Sequence, residues 1–298
     1  MHSVGEHASA ARAAIKNGQA SVLAIVCVRN ESVHVVRCLS DFIADGIDVV
    51  LIDNGSTDDT VAKARRFLGK GLRAIERLPW RGAFSLSEQL ELKARIALEA
   101  PYRWIIHADA DERFETPAEF GSLRDALGAA GAAGYNCVNF KQFVFVPVLD
   151  EDFAFDGYAD AMRTYYFFEP RHPYFMRAWK RELAVHLPHN AGHILEGPEV
   201  RLCPTDFVVR HYIALSERHA AEKYCDRTFS EHDMARGWHK NRHAIPISAF
   251  RLEPRHELRS LAAPQSRDYD AGAPQRTHYW EWLRESWNGS GALAARPA

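Results

Sequence analysis

Two aspartates one residue apart follow an apolar segment near the middle of the chain. Asp109 and Asp111 lie in the sequence HADADE, which directly follows the segment RWII. Carboxylates that leave a strand in this way converge on one point, and that arrangement suits a hard divalent cation that keeps waters and shares the oxygens of a diphosphate. The alternative is a solvated turn or the start of a helix, where acidic residues are common.

Polar residues also follow the first two apolar segments. Arg29 and Glu31 come after VLAIVCV, and Asp53 comes after DVVLI. An acid at the end of a strand can accept hydrogen bonds from a base or a ribose, and no helix start requires Asp53, so we expect Asp53 to bind a ligand. Asp58 and Asp59 instead suit the cap and positive first turn of a helix.

A sheet has to position these loops, and the first half of the chain predicts a parallel one. Between Val22 and about Phe140, short β-branched runs alternate with turns and amphipathic stretches, which is typical of βαβ units. Loops at the carboxyl ends of such strands share one edge of the sheet, where ligands bind. We expect strands at VLAIVCV, DVVLI, LRAIERL and RWIIHA, and helices over residues 33–44 and 84–98.

The second half of the chain has a different character. Aromatic residues and prolines are frequent between residues 143 and 204, which indicates mixed strands and long loops. A strand is expected over Phe207–Tyr212, followed by a helix from Ser216 to about Ala235. The late aromatic cluster between Tyr279 and Trp287 is expected to pack in a core rather than on a membrane.

Composition excludes several classes of protein. The 298 residues are 47% hydrophobic and 26% charged, which is typical of a globular chain, and the net charge of −2 excludes a general nucleic-acid binder. Apolar runs are far shorter than the ~20 residues of a membrane-spanning helix, so we expect a cytoplasmic protein with at most peripheral contact with the inner face of the membrane. The cysteines are expected to be reduced, and the three histidines of HLPHNAGH lack the partners of a zinc site.

Taken together, the three loops resemble those of the metal-dependent nucleotide-sugar glycosyltransferases of the GT-A fold, specifically the family 2-like bacterial enzymes. VRNE resembles the first nucleotide-contacting loop, LIDNGSTDDT the second and ADADE the D-x-D motif, over roughly residues 21–112. FVVRHYIALSERHAAEK resembles the histidine-bearing strand and helix of one subgroup. The resemblance implies an Mn²⁺ or Mg²⁺ site of Asp109, Asp111 and His211, and a nucleotide site of Arg29, Glu31, Asp53 and Asp109. Asn54 departs from the common Asp-Asp pair, which leaves the base open.

The implied fold is α/β, with a mixed GT-A sheet flanked by helices, an aromatic-rich acceptor side and a C-terminal extension. The expected boundaries are a polar leader over 1–20, a GT-A domain over 21–235 whose nucleotide half ends at 112, and the extension over 236–298. The implied activity is transfer of a sugar from a UDP- or GDP-type nucleoside diphosphate sugar to a hydroxyl of a glycan or lipid-linked acceptor in polysaccharide biosynthesis, with inversion.

Two further side chains are candidates for the reaction. Lys93 shares a helical face with Gln89, and a cation there could contact the nucleotide and stabilise a leaving diphosphate. A lone lysine on a helix is otherwise solvated. Inversion requires a carboxylate that deprotonates the acceptor hydroxyl. Glu196, in the glycine-flanked loop GHILEGPE, is the candidate base, and the other carboxylates considered are Glu199, Asp152 and Asp156.

Three other functions stay open from the sequence. A sugar nucleotidyltransferase would have a glycine-rich phosphate loop where VRNE stands, and an aspartyl phosphatase would have its D-x-D after the first strand rather than the fourth. A non-catalytic glycan-binding protein would bind an acceptor without turning over a donor. The intact pair of acids argues against this last class.

Overall fold

A computed structural model describes residues 21–172, 174–189, 191–225, 227–239, 242 and 245–282, so the expected leader lies outside the described residues. The strands are β1 (Val22–Val28), β2 (Asp48–Asp53), β3 (Leu72–Arg77), β4 (Trp104–Asp109), β5 (Glu112–Glu115), β6 (Cys137–Val138), β7 (Phe140–Phe145), β8 (Thr164–Phe168), β9 (Ala178–Lys180), β10 (Phe207–Tyr212) and β11 (Arg259–Ser260). The α-helices are α1 (Val35–Ala44), α2 (Thr60–Arg65), α3 (Leu86–Glu99), α4 (Leu123–Ala132), α5 (Glu217–Tyr224) and α6 (Glu231–Ala235).

The chain divides into two units. Among the described residues, unit 1 contains those of 21–141 and 174–211, and unit 2 contains those of 142–172 and 212–282. The described residues after 235 belong to the same unit as the aromatic-rich segment that begins at Gln142, and the boundaries expected at 20, 112 and 235 stay a prediction.

Unit 1 contains a six-stranded sheet in the order β3-β2-β1-β4-β9-β6. The first four of these strands are parallel, and β9 is antiparallel to β4 and β6. All residues of β1 are buried, as expected for the central strand of a parallel sheet that is covered on both faces. The predicted α/β fold with a mixed sheet flanked by helices is therefore confirmed.

The register of this sheet brings the ends of three strands together. Val28 at the end of β1 pairs with Asp53 at the end of β2, and Cys27 pairs with Asp109 at the end of β4. The loops after β1, β2 and β4 consequently leave the sheet at the same edge, as the parallel pattern predicted.

Helices α1 and α3 illustrate how the sequence pattern selects the buried faces. Helix α1 buries Val35, Cys38, Leu39 and Phe42, which recur at helical spacing. Helix α3 begins after Ser85, whose hydroxyl accepts a hydrogen bond from the Glu88 amide. Its buried residues include Leu90 and Ala94 but also Lys93, a cation in the middle of an apolar face.

In unit 2, β7 and β8 form an antiparallel pair whose register runs from Gln142–Phe168 to Phe145–Tyr165, and β11 pairs with β8. Aromatic side chains fill the core of this unit. Trp280 and Trp282 are buried there among Tyr166, Tyr224 and Phe250, so these two tryptophans pack in a core as expected. Trp287 lies outside the described residues.

The prediction of one helix from Ser216 to about Ala235 is wrong. The structure has two shorter helices, α5 and α6, separated by a non-helical segment. Ser230 begins the second helix, because its hydroxyl accepts a hydrogen bond from the Asp233 amide. A strong N-cap inside a helical pattern therefore marks a new start rather than a continuation.

Within the described residues, no helix is long and apolar enough to cross a bilayer.

Candidate functional site

The D-x-D segment forms a tight turn between β4 and β5 in unit 1. Asp109 is the last residue of β4, and Glu112 is the first residue of β5. The Glu112 carboxylate accepts a hydrogen bond from the Asp109 amide at 3.0 Å. The guanidinium of Arg37, on α1, donates to the carbonyl oxygens of Ala110 and Glu112 at 2.6 and 2.9 Å. The backbone of the turn is therefore held from both ends.

His211 and Asp111 lie next to each other, although 100 positions separate them in the chain. Strand β10 is antiparallel to β5, and this pairing places His211 opposite Glu112. The imidazole Nε2 lies 3.3 Å from Asp111 Oδ2, and the two side chains are 12% and 7% exposed. The structure thus brings together two of the three predicted metal ligands.

These two donor atoms also fit a divalent cation. Two ligand atoms at right angles around one small cation lie about 3 Å apart, close to the separation of this pair. No group of three or more His, Cys, Asp or Glu side chains in the described part of the chain is arranged to hold a metal ion.

Asp109 is in contact with two cations. Its Oδ2 lies 3.0 Å from Nη2 of Arg177, and its Oδ1 lies 3.7 Å from Nζ of Lys93. The carboxylate is 46% exposed, whereas both cationic side chains are only 2% exposed. Burial would raise the pKa of Asp109, but Arg177 and Lys93 outweigh it and lower that pKa. Asp109 is thus an ionised group at the surface of the turn.

Lys93 does not lie where a solvent-exposed ligand could contact it directly. Its ammonium donates to the carbonyl oxygen of Ala108 at 3.0 Å, and its stem is buried on α3. Burial lowers the pKa of this lysine, and the nearby carboxylate of Asp109 opposes that shift. Lys93 is therefore not a solvated lysine, contrary to the alternative considered from the sequence, and its role toward a nucleotide, which would act through Asp109, stays a prediction.

Arg177 is the residue of this site that the sequence reasoning missed. It precedes β9 and donates to Glu112 Oε1 at 2.6 Å, and its guanidinium lies 4.1 Å from the centroid of the Phe175 ring. Burial would lower the pKa of Arg177, but the carboxylates of Glu112 and Asp109 outweigh it and raise that pKa. The available signal was an arginine inside the apolar run YFMRAW, since a buried charge requires a partner.

The loops after β1 and β2 are joined through Arg29. Its Nη1 donates to the carbonyl oxygens of Asn54, at 3.0 Å, and Gly55, and its Cζ lies 3.7 Å from the centroid of the Trp80 ring. The side chain of Asn54 donates to the carbonyl oxygen of Leu78, which ties β2 to the segment after β3. An ionised aspartate at position 54 could not donate this hydrogen bond. Asn54, which departs from the common Asp-Asp pair, therefore stabilises the loop.

The acidic residues of these two loops differ in their surroundings. Asp53 uses Oδ1 to accept the Ser56 amide at 2.9 Å. Glu31 points back toward the buried His34, with Oε2 3.9 Å from Nε2. Burial would raise the pKa of Asp58, but hydrogen bonds from Thr60 and Ser32 lower it. Asp58 therefore stabilises the loop and the first residue of α2, whereas the residue at the N-cap position is Asp59, whose side chain makes no capping hydrogen bond.

Glu196, the candidate base, is exposed, and no hydrogen bond or ion pair links it to another described residue. The segment just before it is anchored, because the Met176 amide donates to the carbonyl oxygen of His193 at 2.8 Å. The neighbouring Glu199 pairs with His186 at 2.5 Å. Asp152 and Asp156 belong to unit 2, whereas Glu196 and Glu199 belong to unit 1.

Comparison with known proteins identifies the family. The model of the family described as Glycosyl transferase family 2 matches residues 23–192, which is more than half of the chain. No curated protein matches the sequence.

Solved structures of one protein also match. S. aureus TarS 1-349 is 13% identical, with a TM-score of 0.38 over 71% of this chain and 67% of that one. The same fragment in complex with UDP-GlcNAc is 14% identical, with a TM-score of 0.41 over 67% and 60%. In the longer TarS structure the match covers 41% of that chain. The family model matches more than half of the chain, and the chain has the α/β sheet expected of that family. The chain therefore belongs to glycosyl transferase family 2 and is a glycosyltransferase of the GT-A fold.

Proposed function

We propose that this glycosyltransferase moves a sugar from a nucleoside diphosphate sugar to a hydroxyl of a glycan or lipid-linked acceptor, with inversion at the transferred carbon. The proposal depends mainly on the pairing of Asp111 with His211 beside Asp109, at the edge where three loops leave the sheet. Acids and an imidazole at this edge suit a diphosphate-bound cation. We place the reaction in the cytoplasm, with the acceptor at the inner face of the membrane if it is a lipid.

Asp111 and His211 are the side chains that would hold the divalent cation, with Asp109 on the same turn. An imidazole ligand favours Mn²⁺ over Mg²⁺. When bound, such a cation acts as a Lewis acid on the leaving diphosphate. The protein itself holds Asp111 in place through the turn that Arg37 and Glu112 fix.

The nucleoside would bind between the loops after β1 and β2. Asp53 commits one carboxylate oxygen to its own loop and has the second for a donor group of the base. Arg29 and Glu31 support this surface from behind, because each is engaged with neighbouring protein groups. Asp109 would accept hydrogen bonds from hydroxyls of the donor, and Lys93 would act on the donor through Asp109.

Glu196 is our candidate for the base that removes the proton from the acceptor hydroxyl. Its carboxylate is exposed and lies three residues after the anchored His193. If Glu196 has this role, Glu196→Gln lowers kcat by at least about a hundredfold and leaves donor affinity unchanged. Full turnover by this variant would remove Glu196 from the mechanism.

Isothermal titration of UDP and of GDP, each in the presence of Mn²⁺, tests the proposal. We expect one of the two nucleotides to bind, and binding to be lost with EDTA and in Asp111→Asn. Asp268→Asn, which alters an exposed carboxylate of unit 2, is the matched control and should bind as the unaltered protein does. Absence of binding by either nucleotide to the folded protein would contradict a UDP or GDP donor and call for CDP and dTDP.

A further inference from the structure

Arg177 is buried among the carboxylates of the turn between β4 and β5. Its Nη2 contacts Glu112 Oε1 at 2.6 Å and Asp109 Oδ2 at 3.0 Å, and the Phe175 ring covers the guanidinium. Because the side chain is only 2% exposed, it cannot reach a ligand that binds at the surface. Any effect of Arg177 on the reaction has to pass through the carboxylates that it holds.

Asp109 has a fixed cation on each oxygen. Arg177 lies on Oδ2, and Lys93, itself held by the carbonyl oxygen of Ala108, lies on the side of Oδ1. Asp111, two residues further along, instead faces the imidazole of His211. The two aspartates of one D-x-D therefore contact different partners, a guanidinium and an ammonium for Asp109 and an imidazole for Asp111.

This difference decides which ligand each carboxylate suits. A divalent cation at Asp109 would stand within a few ångströms of two positive groups, and like charges repel each other. A hydroxyl brings no charge, and the remaining lone pairs of Asp109 can still accept a hydrogen bond from it. The exposure of the carboxylate leaves it open to such a donor.

Glu112 completes the arrangement by holding the backbone of Asp109. Its Oε2 accepts the Asp109 amide at 3.0 Å, while its Oε1 accepts from Arg177. Arg177 thus holds the side chain of Asp109 directly. It also holds Glu112, which in turn fixes the main chain of Asp109. Removal of Arg177 would free the carboxylate to turn toward Asp111.

We propose that Arg177 is a positioning residue that reserves Asp109 for hydroxyl groups of the sugar donor and leaves the divalent cation to Asp111 and His211. The inference rests on the proposed function for the donor. Its distinctive consequence is that loss of Arg177 changes the two affinities in opposite directions. The nucleotide should bind more weakly, and free Mn²⁺ should bind more tightly because Asp109 joins its ligands.

The test uses the double variant Arg177→Met/Glu112→Gln, since Arg177→Met alone would leave Glu112 buried without its cation. The glutamine side chain retains an oxygen that can accept the Asp109 amide. Mn²⁺ affinity without nucleotide is measured by electron paramagnetic resonance, UDP and GDP affinities by isothermal titration with Mn²⁺, and folding by the melting temperature. We expect the nucleotide Kd to rise about tenfold or more and the Mn²⁺ Kd to fall about threefold.

Arg177→Lys keeps the charge but loses the planar guanidinium whose Nη2 bridges the two carboxylates, and it should show the same opposite changes at smaller size even if the double variant does not fold. Arg181→Met, at an exposed arginine that donates to the carbonyl oxygen of Ala100, is the control and should change neither affinity. Unchanged affinities in folded Arg177 variants, or a parallel loss of both, would overturn the inference. If the unaltered protein binds no nucleotide, the proposed donor fails, and the Mn²⁺ measurement alone still decides the role of Arg177.

Discussion

The guanidinium carbon of Arg29 lies 3.7 Å from the centroid of the Trp80 ring. The same guanidinium donates to carbonyl oxygens of the loop after β2. One contact therefore joins the segments that follow β1, β2 and β3, and these segments form the proposed nucleoside surface.

Replacement of Trp80 by leucine should weaken nucleotide binding. The cation–π contact stabilises the loops by about 0.5–2 kcal/mol, so its loss is expected to raise the nucleotide Kd by about twofold to thirtyfold. Isothermal titration measures this change. Trp238→Leu is the matched control, because Arg236 lies 3.9 Å over that ring in unit 2. Equal Kd values for the two variants would contradict the prediction.

Gly55→Ala should destabilise the protein more than Gly69→Ala. Both glycines have a left-handed backbone, with φ of +70° and +75°, which costs an L-residue about 1–2 kcal/mol. A Cβ at Gly55 would also lie 2.9 Å from Cβ of Trp80, whereas nothing lies within 4 Å of one at Gly69. Urea denaturation gives the two free energies of unfolding. Equal values would show that Trp80 moves aside without cost.

Arg210 and Glu115 form a buried ion pair between β10 and β5, with Nε and Oε1 2.6 Å apart. Glu115→Leu is expected to lower the free energy of unfolding by about 3–5 kcal/mol, because it leaves a buried guanidinium without this partner. The double variant Arg210→Met/Glu115→Leu should recover most of that loss. Urea denaturation of both variants tests this. A double variant as unstable as the single one would show that the pair does more than compensate its own charges.

Tyr102 should make stability depend on pH in the alkaline range. Its hydroxyl donates to Asp48 at 2.6 Å, and Arg73 lies 2.7 Å from the other oxygen of that carboxylate. Burial raises the pKa of Tyr102, the bond to Asp48 raises it further, and Arg73 opposes both. Because the folded pKa exceeds the unfolded value of about 10, the stabilisation is complete below that pH and is lost as the pH rises above it.

The measurement compares Tyr102→Phe with the unaltered protein by urea denaturation across pH. Phenylalanine cannot donate to Asp48, so the variant should be less stable by about 1–3 kcal/mol near neutral pH. It also cannot ionise, so the difference should shrink above about pH 10. A difference that stays constant up to about pH 11 would contradict the assignment, since the other buried tyrosines are common to both proteins.

The sequence predicts the parallel part of unit 1 well because each of its elements carries a local signal. The all-apolar β1 and the alternation of strand and helix signals predict where β2 and β4 lie, and the register then brings Asp53 and Asp109 to one edge. The contact between His211 and Asp111 joins residues 100 positions apart, so no local pattern predicts it. It was expected only from the resemblance to the family. The residues matched by the family model, 23–192, include these loops.

Other features depend on strands whose neighbours the sequence does not specify. Arg177 reaches Asp109 only because β9 pairs antiparallel to β4, and nothing in the short run around it indicates that pairing. The contact of Arg29 with Trp80 likewise depends on how three loops fold together. Long-range pairings of this kind are decided by packing rather than by local propensity.

The position of β9 in the chain also affects the order in which the protein can assemble during synthesis. Arg177 follows Asp109 by 68 residues, so a nascent chain that has released β1 to β4 carries the acids of the turn without the guanidinium that neutralises them. The edge of β4 that β9 later covers is exposed in the same interval. We expect folding of this edge to wait for the return of the chain, and until then β4 presents an open strand edge of the kind that promotes aggregation.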